Sequence, residues 1–338
     1  MTRDRRASAP TVVTPVDRLA LERAARGVLR WDEPLSRHTT FRIGGPAEVW
    51  FEPVDSDDLR TVVALCQERG LPCWTIGGGS NLLVRDGGVR GVAIATRRLR
   101  GLRRLESELP AGSCVEAGAG LATGSLLATA TTWNLGGLEL LAGIPGTVGG
   151  AVFMNAGTYL GTMKDVTREV RSLRMRDGVE ICRPAGQCGF GYRHTCLPTD
   201  EVITSVLLEL TACPRDLVEA KVRDLHARRR ERQPRVARGG GARGGGGGVA
   251  GSIFRNPAQG AAGKLLEQAG MKGKSVGAAV VSPHHANWIV NTGGATASDV
   301  LALIDILRDR IFTKLGIELE LEIRVVGEDD DCRATISG

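Results

Sequence analysis

The sequence predicts an α+β protein assembled from α/β units in two successive regions. Three observations predict it. Segments with the alternation of strands succeed segments with the 3.6-residue period of helices along most of the 338 residues. Two glycine-rich loops, GGGSN (77–81) and GIPGTVGG (143–150), punctuate the first region. A low-complexity stretch, RVARGGGARGGGGGV (235–249), interrupts the second. A chain of this length exceeds one ordinary core. The boundary is expected near 212–218, giving a first region over 19–213, a second over 214–328 and a tail over 329–338.

The elements follow in order. Residues 1–18 are Arg-rich with Pro10 and Pro15 and read as a disordered extension, with structure beginning near Leu19. AEVWFEP (47–53) is a strand ended by Pro53. Ser56 is positioned to cap a helix over 57–69 that carries Leu59, Val62, Val63 and Cys66 on one face. CWTIG (73–77) is a strand running into the first glycine loop, and 82–95 reads as strand, turn at Gly87-Gly88, strand. SCVEAGAG (113–120) is a strand, and Thr123 caps a helix over 123–134. Residues 166–183 and 202–211 are strands, and a helix from about 215 to 232 ends before Gln233-Pro234. A helix near 261–269, a strand near 287–291, a helix over 297–314 and a last strand over 318–326 complete the second region.

Composition narrows the function. The hydrophobic fraction is 42% and the charged fraction 24%, values of a soluble globular protein. No run of 18 apolar residues occurs, so no membrane span is expected. The charged first residues precede no apolar stretch, which argues against a secretory signal and for the cytoplasm. Eight cysteines form no CxxC pair and the histidines lack ligand spacing, so reduced thiols and no metal are expected. The net charge of +6 is concentrated in two clusters, residues 1–30 and 219–243, rather than spread over a folded face. With only five Trp, two Tyr and six Phe to stack on bases, nucleic acid is a poor partner. An anionic small molecule, or solvated segments, suits the two clusters at least as well.

The glycine loops carry the chemical signal. Glycine allows close backbone approach, and consecutive N–H groups can cradle phosphate oxygens. Gly77, Gly78, Gly79, Ser80 and Asn81 follow a predicted strand, and Gly143, Ile144, Pro145, Gly146, Thr147, Gly149 and Gly150 form the second candidate cradle. Neither loop is GxGxxG or GxxxxGK[ST], so the dinucleotide fingerprint and the P-loop are both missing. Either loop alone could be a tight turn; two in one α/β region point to a cofactor bearing a diphosphate.

Seven segments then occur in a recognisable order: HTTFRIGGPA (38–47), IGGGSNLLVRDGGVRG (76–91), GIPGTVGGAVFMNAG (143–157), FGYRH (190–194), AGSIFRNP (250–257), AGKLLEQAGMKG (262–273) and HANWIVNTGGATASDV (285–300). Together they resemble the MurB-type UDP-N-acetylenolpyruvoylglucosamine reductases of peptidoglycan synthesis, over about residues 36–327. The resemblance implies an FAD-binding region of the PCMH/vanillyl-alcohol-oxidase type, in two subdomains, followed by a smaller α/β substrate-binding domain. It implies FAD held non-covalently, NADPH as hydride source, and an enolpyruvyl ether of a UDP-sugar as substrate. The activity would be a UDP-N-acetylmuramate dehydrogenase serving cell-wall biogenesis, and through it cell shape, division and the cell cycle. A monomer of the family's shorter subtype is expected, because no extra substrate-covering loop is recognisable.

The implied reaction reduces a double bond conjugated to a carboxylate. Hydride adds to the terminal vinyl carbon, an enolate develops, and the adjacent carbon takes a proton. A cation, a proton donor and a polar partner are required. By the resemblance, Arg193 in FGYRH is the enolate-stabilising cation, Ser252 in AGSIFRNP the proton donor and Glu322 in ELELEIRVVG (318–327) the polar partner. Alternation puts Glu318, Glu320, Glu322 and Arg324 on one strand face, so Glu320 is the competing register. Asn256, Lys264 and His285 are implied in substrate binding. Thr195 departs from the serine common after GYRH but keeps the hydroxyl. Two other classes remain open at this point: a flavin oxidase acting on an alcohol, and a nucleotide- or nucleic-acid-binding protein using 219–243.

Overall fold

The computed structural model describes residues 12–105, 112–232 and 247–329. The first lobe opens with α1 (Pro15–Ala24), whose first four residues lie inside the segment read as disordered by its prolines and arginines. Pro15 is instead the first helical residue, where its missing N–H and fixed φ favour a start. Thr14 and Asp17 close a reciprocal capping box, and Leu21 is fully buried. Residues 1–11 lie outside the described residues.

β1 (Val28–Pro34), β2 (Pro46–Glu52), α2 (Ser56–Glu68), β3 (Cys73–Ile76), β4 (Leu82–Val84) and β5 (Val89–Ala95) follow. The sheet order is β1-β2-β5-β3, with β2, β5 and β3 parallel. The cap of α2 is Asp55 rather than Ser56, its carboxylate accepting from Asp58 N at 2.9 Å. The apolar face named from sequence, Leu59, Val62, Val63 and Cys66, is fully buried against the sheet.

The second lobe contains β6 (Leu102–Leu105), β7 (Gly112–Gly118), α3 (Thr123–Thr132), β8 (Leu135–Gly136), α4 (Val148–Phe153), β9 (Gly157–Thr158), β10 (Gly161–Thr162), β11 (Thr167–Arg174), β12 (Glu180–Pro184), β13 (Glu201–Ala212) and α5 (Arg215–Arg232). Its sheet runs β12-β11-β13-β7-β6, all antiparallel, with β8 also on β13. Thr123 is the first residue of α3 and not its cap, and its hydroxyl donates instead to Ile144 O at 2.7 Å. The boundary expected near 212–218 also moves. Val218 and Leu225, a helical face of α5, are buried in this lobe's core, with Val222 packed beside them. α5 therefore packs with this lobe, although it was expected in the second region.

The third unit holds α6 (Ala262–Gln268), β14 (Ser275–Val276), β15 (Ala279–Val281), β16 (Ile289–Asn291), α7 (Ala297–Leu315) and β17 (Arg324–Val326). Residues 247–249, read as the end of the flexible insert, are anchored: Gly248 bridges Asn291, and Val249 N donates to Thr40 O at 3.0 Å. Residues 235–246 of that insert, and 330–338 of the expected tail, lie outside the described residues. The last predicted strand is shorter than expected. Residues 318–320 alternate in burial, but 318–323 make only one isolated bridge, Leu321 with Phe254, before β17 begins. β17 runs parallel to β4, with Arg324 opposite Leu82. So β4 and β5, read as strand–turn–strand, do not pair with each other. Among the described residues no helix is long and apolar enough to cross a membrane.

Candidate active site

The two glycine loops lock onto each other. Ser80 Oγ donates to Pro145 O at 3.0 Å, and Gly78 lies so close that an added Cβ would sit 2.6 Å from Gly146 Cα. Gly79 has φ +65°, and a Cβ there would fall 2.0 Å from His38 O, so this position demands glycine. Together the loops form one wall of a cleft of about 1690 Å³. That exceeds the ~300–1,000 Å³ of a typical single-ligand pocket and leaves room for two ligands.

This wall fits a diphosphate cofactor. No backbone N–H from Gly77 to Asn81 donates to a described residue, leaving a run of donors on the cleft wall. Thr147 Oγ1 is buried without a partner. A buried hydroxyl left unpaired costs about 1–3 kcal/mol, and an acceptor in the cleft would remove that cost.

The opposite side carries the residues expected to react. FGYRH folds into a tight turn in which Gly191 pairs with His194, and Arg193 at its tip has φ +55°. Asn155 Nδ2 donates to Gly191 O at 2.8 Å, and Thr195 Oγ1 donates to Phe153 O at 2.7 Å, pinning the turn to the end of α4. Arg193 Nε donates to Glu322 Oε1 at 3.0 Å, and its Nη2 donates to Gly157 O at 3.1 Å. Burial pushes the Glu322 carboxyl above the usual carboxylate range; Arg193, and more weakly Arg255, pull it back. Glu322 is held by its own backbone as well, its O accepting from Asn81 Nδ2 at 3.0 Å and its N donating to Ile253 O at 2.7 Å. Ser252, one residue before Ile253, lines the same cleft. The register question is answered here: the Glu320 side chain is 74% exposed, against 17% for Glu322.

The structure thus brings Arg193, Ser252 and Glu322 together with Gly77–Asn81 and with Gly143, Ile144, Pro145, Gly146, Thr147, Gly149 and Gly150 on one cleft. Asn256, Lys264 and His285 are not among the residues that line it. Asn256 reaches Tyr192 Oη at 3.4 Å and accepts from Ala262 N at 3.0 Å. Lys264 is exposed on α6, and His285 packs over Gly263, its pKa lowered by burial. Sequence reasoning did not single out Asn155, Phe153 or Trp288. Asn155 has φ +44°, and its place in the motif MNAG was the available signal.

Residues 47–181 match the FAD binding domain family, which places the chain among flavoenzymes. Residues 246–326 match the C-terminal domain of UDP-N-acetylenolpyruvoylglucosamine reductase. The UDP-N-acetylenolpyruvoylglucosamine reductase of Geobacter sulfurreducens is 41% identical over 315 residues, 93% of this chain and 99% of the relative. That of Heliobacterium modesticaldum is 42% identical over 311 residues, 91% and 94% of the two chains. The crystal structure of the reductase (MurB) from Thermus caldophilus aligns with a TM-score of 0.71 at 33% identity, covering 89% of this chain and 99% of that one. The chain belongs to the UDP-N-acetylenolpyruvoylglucosamine reductase family.

Proposed function

We propose that this chain reduces the enolpyruvyl double bond of UDP-N-acetylglucosamine enolpyruvate to UDP-N-acetylmuramate, with NADPH as reductant, and that Arg193, Ser252 and Glu322 do the work. The observation that carries the reading is the 3.0 Å Arg193–Glu322 pair, made by residues 129 apart on the cleft that the glycine loops also line. FAD bound along Gly77–Asn81 and Gly143–Gly150 supplies the hydride relay from NADPH to substrate.

The protein's own residues handle charge and proton. Arg193 presents a permanent cation in a fixed fork to the carboxylate on which the enolate develops. Glu322 orients that fork through Nε and leaves other guanidinium N–H groups for the substrate. Ser252 delivers the proton to carbon, helped by the cation nearby, since a free hydroxyl is a weak acid. Asn256, Lys264 and His285 serve the nucleotide end of the substrate, outside the cleft lining.

The same reading makes the protein a cytoplasmic monomer acting on small molecules, with neither nucleic acid nor membrane as partner. Free cysteines support a reducing compartment. The basic face of α5 is partly answered by its own acids, with Arg215 and Arg223 both on Glu219. The test is anaerobic: NADPH should bleach the flavin, and the enolpyruvyl substrate should then restore its colour. Reduced flavin that this substrate cannot reoxidise would overturn the reading.

A further inference from the structure

Arg324 lines the cleft two residues beyond Glu322. Its backbone is fixed from the first glycine loop: its N–H donates to Asn81 O at 2.9 Å, and it stands opposite Leu82 in the β4–β17 pair. Its guanidinium lies over the Phe153 ring, 4.8 Å from the centroid. Phe153 ends α4, the helix that leaves the second glycine loop, and its carbonyl holds Thr195 of the Arg193 turn. Arg324 therefore sits where both loops and the reactive residues meet.

Its charge is not answered. Among the described residues no carboxylate lies within 4 Å of it, whereas Arg193 is paired with Glu322 and Arg215 with Glu219. Stacking on an aromatic ring steadies a guanidinium and leaves its N–H groups free to point outward in the plane. The Arg193–Glu322 pair is neutral overall, so it adds little net positive potential as negative charge grows in the cleft. A second, uncompensated cation supplies it.

We propose that Arg324 is a further anion-binding residue of this cleft, taking a planar, delocalised anion edge-on through its guanidinium. Two sources offer that chemistry, the carboxylate of the enolpyruvyl substrate and the electron-rich pyrimidine edge of the flavin. The assignment rests on the function proposed above and adds a residue to it.

The experiment uses flavin-loaded holoprotein and compares wild type with R324M, R324Q and R324K. One arm measures the flavin midpoint potential by dye equilibration. The other measures the dissociation constant and reoxidation rate with UDP-N-acetylglucosamine enolpyruvate. Loss of a charge-assisted hydrogen bond weakens the bound anion about 10–100-fold. If the flavin edge is the anion, the R324M midpoint falls by about 30–60 mV, the same change for a two-electron couple. If the carboxylate is the anion, substrate affinity falls 10–100-fold and the midpoint stays. R324Q should follow R324M, and R324K, which keeps the charge without the fork, should lie between them and wild type. Where R324M and R324Q do not retain flavin, R324K decides by a smaller shift in the same direction. Variants matching wild type in both arms overturn the assignment. Failure of the wild type itself to turn over with this substrate would count against the proposed function instead, and the midpoint arm would still judge Arg324.

Discussion

Arg193 holds a left-handed backbone, φ +55°, that costs a non-glycine residue about 1–2 kcal/mol. The Gly191–His194 pair and the Asn155 bond to Gly191 O hold it there, and the result is a guanidinium aimed at Glu322. Ser252 stands apart from that pairing, and its hydroxyl makes no hydrogen bond to a described residue. Its removal should leave the flavin site intact. Ser252→Ala should slow reoxidation of the reduced flavin by substrate about 10²–10⁴-fold and leave reduction by NADPH nearly unchanged. Stopped-flow traces separate the two, and equal slowing of both would show that Ser252 only positions the shared site. Glu322 brings a pH dependence. In its proposed role it works ionised, paired with Arg193, and burial raises its pKa above the ordinary 4.5. The acid limb of kcat/KM should therefore lie above that value. Arg255 favours the ionised form, so Arg255→Gln should move the limb to still higher pH while activity on the alkaline side of the limb holds. A limb that stays put or moves down would exclude this coupling.

At the scale of elements, one carboxylate ties three strands of the second lobe. Glu201 on β13 accepts from Arg183 on β12 through both oxygens, at 2.8 and 2.9 Å, and from Ser172 on β11. The Arg183 bonds, and then Ser172, hold its pKa below 4.5 against the cost of burial. A depressed folded pKa means stability that is present above the unfolded value and lost as pH falls through the folded one. Glu201→Gln should thus cost about 2–3 kcal/mol at pH 7, read from urea midpoints, and the gap to wild type should close as pH drops below 4.5. A gap that persists in acid would mean shape rather than charge is at stake. These elements also show what the sequence made legible. α2, α3, α5 and α7 were readable because each carries its own period and a nearby start or stop residue. The partner of β4 was not, since β17 lies some 240 residues away and three-residue strands carry little pattern. α5 was placed in the wrong unit because an apolar stripe says that a face is buried without saying against what. The residues proposed to react were picked out only through motif order. Glu322 over Glu320 needed the fold, because alternation puts both on one face.

For the molecule as a whole, the units are sewn together around the cleft. Leu173, Met175 and Val202 of the second lobe complete the core under α2, while Phe41, Ile43 and Leu83 of the first lobe enter the core of α6 and α7. β4 pairs with β17 across the first and third units. A ligand held between the two glycine loops bridges the two lobes, so its binding should stabilise the whole chain rather than one part. Protein stripped of flavin should melt lower, and added FAD should restore stability by about 2.7 kcal/mol at 100 times its Kd, with Tm rising further as FAD increases. That dependence requires reversible binding. Cys73 and His226 both line the cleft, so a covalent link to the flavin is a real alternative that the experiment must separate. The Cys66 thiol, hydrogen-bonded with Cys73, is pushed far up by that bond and by burial. Neither a His nor a Cys, the anchors of a covalent flavin, stands within Gly77–Asn81 themselves. The expectation is non-covalent FAD: acid precipitation should leave all the yellow colour in the supernatant. A yellow pellet would place a covalent bond in the cleft, and the Tm of the holoprotein would then be indifferent to added FAD.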